Sequence, residues 1–172
     1  MKKYQTGLIF GKFFPLHPGH ILMMEKALQT VNELYVFVCS DTQRDHKLFE
    51  QSQMIQCPTR AERIAWFQPL IQQYPNLHPI DFNEDGIPTY PNGWLEWSNR
   101  VKETLAQLNI QPDIVFSSEP QDAPLYGEYF NLPVELFDPD RSYINISATK
   151  LRNDPERYKA YLLDSVYPYF FQ

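Results

Sequence analysis

The sequence predicts an α/β domain in which a parallel sheet is covered by helices on both faces. Short apolar runs alternate with segments of helical periodicity, which is the pattern of strands joined by crossover helices. One run, Leu34–Cys39, is almost continuously apolar, as strands buried on both faces are. The chain of 172 residues is long enough for one domain with a substantial core, and no repeat or linker divides it. We therefore predict a single domain over residues 1–172.

The first half of the chain contains two predicted strands and two predicted helices. Residues 7–10 form a short apolar strand. A helix over 19–30 follows, because apolar residues recur there at helical spacing, namely at Ile21, Met24, Leu28 and Val31. After the strand at 34–39, Pro58 and Thr59 mark the start of a helix that reaches about residue 73, since both residue types favour a first helical turn.

The second half contains three further predicted strands, at 77–82, 113–116 and 134–137. Asn92 is a candidate cap for the helix between the first two of these strands. The apolar stripe of that helix consists of Trp94, Trp97, Val101, Leu105 and Leu108. Short helices are expected after Ser147 and after Pro155. The aromatic tail 167–171 is expected to pack on the domain or to cover a partner surface. The five strands with their helices predict a Rossmann-like fold.

Composition limits the possible partners. The net charge of −6 disfavours nucleic-acid binding, because phosphate neutralisation needs a basic face. No apolar run reaches the roughly 18 residues of a membrane helix, and the first residues do not resemble a signal peptide. The two cysteines, Cys39 and Cys57, make no disulfide framework and belong to no metal-ligand cluster. A cytoplasmic location is therefore expected.

Unusual polar segments follow the predicted strands. They occupy residues 11–20, 40–47, 84–97, 117–122 and 138–152, each directly after the end of a strand. In an open parallel sheet the carboxyl ends of the strands meet at one edge, where ligands bind. The sequence therefore predicts a ligand site at this edge.

The segment after the first strand has the features of a phosphate site. Gly11 permits a tight turn, and Gly19 permits close approach of a ligand at the start of a helix. Free N–H groups and the helix dipole favour a phosphate there. His17 and His20 can donate hydrogen bonds to phosphate oxygens, and imidazole can carry a proton near neutral pH. Alone, the pair is also consistent with two surface histidines beside a turn.

Two segments resemble signatures of the nucleotidylyltransferase superfamily. GKFFPLHPGH, at 11–20, is similar to the (H/T)xGH signature in its GxFxPxHxGH form, and ISATKLR, at 146–152, is similar to the ISxTxxR segment. In the second segment Ser147 can cap a helix and Thr149 offers a hydroxyl. The guanidinium of Arg152 can hold a phosphate through two hydrogen bonds. The two segments occur in the expected order. The chain is thus identified as a member of the superfamily.

This resemblance implies direct attack of a substrate phosphate on the α-phosphorus of ATP, with pyrophosphate leaving. His17 and His20 would contact the α- and β-phosphates, and Arg152 the β- and γ-phosphates. Lys12 occupies a position where relatives often have a basic residue. The ATP-binding residues implied by the motifs are Gly11, Phe13, Gly19, Ser147 and Thr149. Mg²⁺ is expected with the triphosphate, held largely by phosphate and water rather than by protein ligands.

Further stretches resemble the nicotinamide-nucleotide adenylyltransferase domain of NadR-type proteins across nearly the whole chain. They are SDTQRD at 40–45, EDGIP at 84–88, YPNGW at 90–94, SSEPQD at 117–122 and DPDR at 138–141. That family implies ATP and nicotinamide mononucleotide (NMN) as substrates and NAD as product. Relatives are commonly fused to a kinase domain, but this chain has no GxxxxGK(S/T) phosphate loop. A homo-oligomer is possible.

The NMN-binding candidates come from their positions at the ligand edge. Trp94 and Trp97 fall in the first turn of a helix, where an indole can stack on nicotinamide, although both also belong to the core stripe. Trp94, nearer the helix start, is slightly favoured. Ser40 and Asp41 follow the second strand and offer contacts to NMN, or equally belong to a solvated loop.

Other polar residues are interpreted individually. Ser117 and Ser118 end the fourth strand, where contacts to ATP are expected. Arg63 is interpreted as a structural ion-pair partner, and Asp140 and Arg141 as a pair that shapes their loop.

Two alternatives remain open from the sequence. The first is another enzyme of the superfamily, such as a pantetheine-phosphate adenylyltransferase or a cytidylyltransferase. The second is a non-catalytic module that senses NAD with the same fold. Side-by-side assays with different acceptors would separate these possibilities.

Overall fold

The fold is a five-stranded parallel sheet with the strand order β3-β2-β1-β4-β5. A computed structural model describes all residues, 1–172. The strands are β1 (Tyr4–Gly11), β2 (Val31–Ser40), β3 (Leu77–Asn83), β4 (Ile114–Ser117) and β5 (Val134–Leu136). Each neighbouring pair is parallel, and β1 lies at the centre between β2 and β4.

Seven α-helices connect and cover the strands. They are α1 (Pro18–Leu28), α2 (Thr42–Glu50), α3 (Arg60–Ala65), α4 (Gln68–Gln73), α5 (Trp94–Gln107), α6 (Ala123–Phe130) and α7 (Ala148–Asn153). None of them combines the length and the apolar character that a membrane-spanning helix requires.

The sheet has a hydrophobic core on each face, which confirms the predicted layers. Side chains alternate across a strand, so the neighbours Leu8 and Ile9 enter different cores. The Ile9 face packs on α1 and α4 through residues such as Met24 and Leu70. The Leu8 face packs on α5 and α6 through residues such as Val101. The sheet therefore holds the ends of its strands rigidly between two helical layers.

Two predicted elements in the first half were wrong in their extent. Val31 is the first residue of β2 rather than part of the preceding helix, because α1 ends at Leu28. The helix predicted over 58–73 is divided into α3 and α4. Pro69 lies in the first turn of α4, where its missing N–H costs nothing, but a continuous helix would need that N–H. The predicted start is confirmed, since Thr59 caps α3 through Glu62 N.

The second half shows three further differences. Helix α6 was not predicted, because Pro124 and Gly127 hide its helical pattern, although proline is well tolerated in a first turn. Gly93, rather than Asn92, precedes the first residue of α5. Leu108 directly follows the last residue of that helix, and its exposed side chain does not belong to the buried stripe.

The aromatic C-terminal tail packs on the domain, which is one of the two outcomes predicted for it. Val166 and Phe170 are buried in the core beside α1 and α4. The carbonyl of Tyr169 accepts a hydrogen bond from Ile55 N at 2.8 Å, and the hydroxyl of Tyr169 donates to Glu62. The tail thereby fixes the segment that joins α2 to α3.

The strand order creates a switch point beside β1. From β1 the chain continues to β2 on one side and later places β4 on the other side. A crevice forms outside the carboxyl ends of two such strands, because their following loops diverge. The loops after β1 and β4 border this crevice, so the predicted ligand edge lies at the switch point.

Candidate active site

The loop after β1 is anchored by buried aromatic and aliphatic side chains. Phe13, Phe14 and Leu16 are almost fully buried in the core. The ring of Phe13 lies edge-on to His20, with 4.8 Å between ring centroids. At Gly11 an added Cβ would lie 2.8 Å from the Phe13 ring, so glycine is required for this packing. The structure thus places Phe13, a predicted ATP-binding residue, under the loop as a support for His20.

The two histidines are held by reciprocal hydrogen bonds at the start of α1. His17 is the N-cap, and its Nδ1 accepts from Gly19 N at 3.0 Å. His20 Nδ1 accepts from His17 N at 3.2 Å, and the two rings stack with centroids 3.6 Å apart. An acceptor Nδ1 leaves the proton of a neutral imidazole on Nε2. Both rings therefore retain an Nε2–H donor for a ligand.

This arrangement differs in two ways from the predicted phosphate site. The Gly19 N–H is already occupied by His17, so that backbone donor is not free for phosphate. Burial and then the Arg141 charge lower the pKa of His17 to about 3. Burial, His17 and Arg141 lower the pKa of His20 well below its ordinary value. The pair therefore acts as neutral donors, not as cations, near neutral pH.

The buried neutral state of His17 predicts loss of stability in acid. The unfolded chain protonates His17 below its ordinary pKa of 6.5, whereas the folded chain does so only near 3. As the pH falls from 6.5 towards 3, His17 should thus lower the free energy of unfolding by up to ~1.4 kcal/mol per pH unit. Above about pH 7 His17 should have no effect on it. Urea unfolding at pH 7, 6 and 5 measures this slope. His17→Asn keeps a cap acceptor for α1 and should flatten the slope; equal slopes in both proteins would contradict the assignment.

A pocket joins the histidine pair to loops from the other side of the switch point. Its polar lining includes His17, His20, Ser118, Asp138 and Arg141. Arg141 thus faces the histidines, and the predicted pair of Arg141 with Asp140 does not form. Its guanidinium donates to Ile146 O at 3.3 Å and lies 3.9 Å from a Glu119 oxygen.

Sequence reasoning missed Arg141 as a site residue. The backbone of Arg141 and that of Asp138 both have positive φ, at 55° and 41°. Asp138 stabilises this loop by accepting hydrogen bonds from Ser142 N and Ser142 Oγ, both at 2.7 Å. Such a conformation leaves no periodic signal, although the DPDR segment marked the loop.

The C-terminal signature meets the histidine loop as predicted. Arg152 donates to Phe14 O at 2.7 Å and lies 3.3 Å from Thr149 Oγ1. Ser147 caps α7 by accepting from Lys150 N at 3.1 Å. Lys12 lies close enough to Arg152 for their charges to interact. Desolvation, Arg44 and Arg152 together lower the pKa of Lys12. Cations from both signatures thus converge at one edge of the sheet.

The two serines after β4 have different surroundings. Ser117 is buried, and its hydroxyl accepts from Glu119 N at 3.0 Å, which shapes the turn. Ser118 lines the histidine pocket, and its hydroxyl lies 3.5 Å from the sulfur of Met23. Of the two, Ser118 is the one the structure brings beside His20.

An aromatic cluster lies where α5 begins. Trp94 is 9% exposed and contacts Trp97, with 5.1 Å between ring centroids. Both also pack around Tyr126, at 5.3 and 6.3 Å. The Nε1 groups of both tryptophans are buried without a hydrogen-bond partner. The core and ligand interpretations of these residues therefore do not exclude each other, since the rings fill the core at the ligand edge.

The segment 40–47, interpreted as a loop, contains the start of α2. Asp41 caps this helix by accepting from Arg44 N at 2.9 Å. Ser40 is buried and donates to Phe82 O at 3.3 Å. Both predicted NMN-binding residues are thus engaged in local hydrogen bonds, and their role towards a ligand stays a prediction.

A buried ion pair contacts the carboxyl ends of β1 and β2. Arg63, 1% exposed, pairs with Asp45 at 2.7 Å, which confirms its predicted structural role. The same guanidinium donates to the carbonyls of Lys12 and Cys39, at the ends of β1 and β2. The Cζ atom of Arg63 also lies 5.2 Å from the centroid of the Phe14 ring. The pair therefore fixes the backbone that presents Lys12.

Residues 8–154 match the sequence profile of the cytidylyltransferase-like family. The chain belongs to this family. It is 40% identical over 169 residues to the trifunctional NAD biosynthesis/regulator protein NadR of Escherichia coli (strain K12), a match that covers 98% of this chain and 41% of that protein. It is also 30% identical over 118 residues to the FAD synthase of Methanocella arvoryzae, covering 61% of this chain and 76% of that protein.

A solved structure shows the same fold. The crystal structure of NadR protein in complex with NR has a TM-score of 0.71 and 24% identity to this cytidylyltransferase-like chain, and the match covers 93% of this chain and 43% of that one. The chain thus spans less than half the length of its NadR relatives. The predicted fold and the predicted resemblance to NadR-type nucleotidylyltransferases are confirmed, whereas the roles of individual site residues remain predictions.

Proposed function

We propose that this domain is a nicotinamide-nucleotide adenylyltransferase that converts ATP and NMN to NAD and pyrophosphate. The observation that carries the proposal is the convergence of the His17–His20 pair and Arg152 at the switch point, through the contact of Arg152 with Phe14 O. The 40% identity to a NadR protein over nearly the whole chain supports the nucleotide substrate. The proposal covers adenylyl transfer only.

In the proposed reaction a phosphate oxygen of NMN attacks the α-phosphorus of ATP. A P–O bond forms there, the bond to the α–β bridging oxygen breaks, and pyrophosphate leaves with that oxygen. The Nε2–H groups of His17 and His20 donate to the α- and β-phosphates as negative charge grows on the leaving group. Because the rings are already held by backbone hydrogen bonds, little reorganisation is needed at that moment.

Arg152 and Lys12 hold the far end of the triphosphate. Arg152 uses one N–H for Phe14 O and another for Thr149, so the remaining donors of its five are available to phosphate. Ser147 and Thr149 accept hydrogen bonds in the protein, and their hydroxyl hydrogens can still be donated to phosphate oxygens. Arg141 adds a further cation on the histidine side of the pocket.

Mg²⁺ fits this site as an ion carried by the nucleotide. No group of three or more His, Cys, Asp or Glu side chains is arranged to hold a metal. Magnesium commonly keeps its waters and binds substrate phosphates, so it needs no such cage. When bound, it would neutralise part of the triphosphate charge, while the residues above orient the phosphates.

The aromatic cluster is the proposed place for nicotinamide. The unpartnered Nε1–H of Trp94 and that of Trp97 are buried, so an amide oxygen can satisfy these donors only when nicotinamide displaces part of the cluster. Trp66 has an equally unpartnered Nε1 but lies in the opposite core, against Tyr169. The position at the ligand edge, rather than the missing partner alone, therefore selects Trp94 and Trp97.

Trp94→Phe should weaken NMN binding selectively. The change keeps an aromatic ring but removes the Nε1–H donor, so KM for NMN should rise roughly 2- to 12-fold, the effect of a hydrogen bond worth about 0.5–1.5 kcal/mol. KM for ATP should stay within twofold. Steady-state kinetics with each substrate varied in turn measures both values. Trp66→Phe is the matched control and should leave both KM values unchanged; a similar KM shift in the two variants would place Trp94 in the core alone.

Product formation from several acceptors tests the function itself. The domain is incubated with ATP, Mg²⁺ and, in separate reactions, NMN, nicotinic acid mononucleotide, phosphopantetheine or FMN, and products are separated by chromatography. NAD from NMN is the expected main product. FMN is included because of the FAD synthase relative. Turnover of phosphopantetheine or FMN without NAD formation would replace the proposal by another transferase, and tight NAD binding without any turnover would favour the sensing module.

A further inference from the structure

A carboxylate stands beside the aromatic cluster without a cationic partner. Asp122 immediately precedes α6 but makes no capping hydrogen bond with its side chain. Its Oδ1 instead accepts from the hydroxyl of Tyr90 at 3.1 Å. Tyr126 lies one helical turn further along α6 and packs on Trp94. Asp122 is therefore positioned at the rim of the proposed nicotinamide site.

Two other acidic groups near this cluster have cationic partners. Glu84 is paired with Arg44 at 2.5 Å, and Glu119 lies 3.9 Å from Arg141. The Tyr90 hydroxyl that faces Asp122 is neutral. Asp122, by contrast, forms no ion pair, and its partner is the Tyr90 hydroxyl.

The surroundings of Asp122 strengthen its effect. Its side chain is half-buried, and burial raises the pKa of its carboxyl. Burial is the largest cause that raises the pKa of the Tyr126 phenol, the Asp122 charge is the next, and Glu84 and Glu119 contribute less. In a partly desolvated site a charge acts on a ligand more strongly than it would in water.

We propose that Asp122 makes the site selective for NMN over nicotinic acid mononucleotide. The inference rests on the proposed function. Both ligands contain a cationic pyridinium, but the second also has a carboxylate in place of the neutral amide. Asp122 attracts the cationic ring of both and repels the carboxylate of the acid. Asp122 therefore discriminates between the two nucleotides without having to contact ATP.

The decisive measurement is the ratio of kcat/KM for NMN to kcat/KM for nicotinic acid mononucleotide, at saturating ATP. Wild type is expected to prefer NMN by more than tenfold. Asp122→Asn preserves the shape and the acceptor for Tyr90 but removes the charge, so the ratio should fall about tenfold. KM for ATP should be unchanged. A ratio within twofold of wild type, in a variant that still makes NAD, would overturn the inference.

Two further variants separate local charge from other effects. Glu128→Gln removes the same charge from an exposed position on α6 and should leave the ratio unchanged. Tyr90→Phe removes the hydrogen bond but keeps the Asp122 charge, so the ratio should not fall. If Glu128→Gln lowers the ratio as much as Asp122→Asn, net charge is responsible and the inference is wrong. If wild type makes no NAD from NMN at all, the proposed function itself fails, and this inference fails with it.

Discussion

Replacing His20 with alanine is expected to lower kcat for adenylyl transfer about 10²–10³-fold. The variant loses one preorganised donor to the leaving phosphates, and losses of this size follow removal of such a donor in other enzymes. KM for ATP should change much less, because Arg152 and Lys12 still bind the triphosphate. Steady-state kinetics with NMN as acceptor measures both constants. Wild-type kcat in the alanine variant would remove His20 from the mechanism.

A second variant separates chemistry from folding. His20 also accepts from His17 N, so alanine weakens the start of α1 as well as removing the donor. Glutamine at this position can accept the same backbone N–H, as it does in a capping box. His20→Gln should therefore recover thermal stability while kcat stays at least tenfold below wild type. Recovery of both would mean that His20 acts mainly by holding the loop.

The histidine loop was predictable because its interactions are local. His17 bonds to Gly19, and His20 bonds back to His17, all within three residues. A short segment therefore contains both the donors and the backbone that orients them. The contact of Arg152 with Phe14 spans 138 residues, and only the order of the two signatures indicated it.

The positions of Arg141 and Asp122 could not be predicted, because they depend on distant or irregular structure. Arg141 reaches the pocket through a loop with positive φ values, and nothing in its neighbours specifies that path. Asp122 becomes notable only because Tyr90, 32 residues away, contacts it in place of a cation. Helical spacing correctly placed Trp94 and Trp97 on one stripe. Their place at the ligand edge was predicted from the strand that precedes this helix, but their packing around Tyr126 of the unpredicted α6 was not.

Asp45→Asn is expected to destabilise the fold by about 3–5 kcal/mol. The Arg63 guanidinium stays charged at any accessible pH, so removing its partner leaves a buried cation with only carbonyl acceptors. Urea unfolding at pH 7 measures the change. Asp81→Asn is the matched control, because Asp81 pairs with Arg60 at a similar 3.0 Å but both side chains are over 40% exposed. That exposed pair should contribute no more than about 1 kcal/mol; equal losses in the two variants would contradict the role of burial.

A double replacement tests whether this ion pair also positions Lys12. Asp45→Leu combined with Arg63→Met removes both charges of the buried pair, while Arg44, which also contacts Asp45, keeps its pair with Glu84. Apolar replacement of buried pairs is often neutral or stabilising. Stability should thus recover relative to Asp45→Asn. The carbonyls of Lys12 and Cys39 would still lack the guanidinium that joins the ends of β1 and β2. We therefore expect the stable double variant to have a higher KM for ATP than wild type. A wild-type KM for ATP in this variant would limit the ion pair to a role in folding.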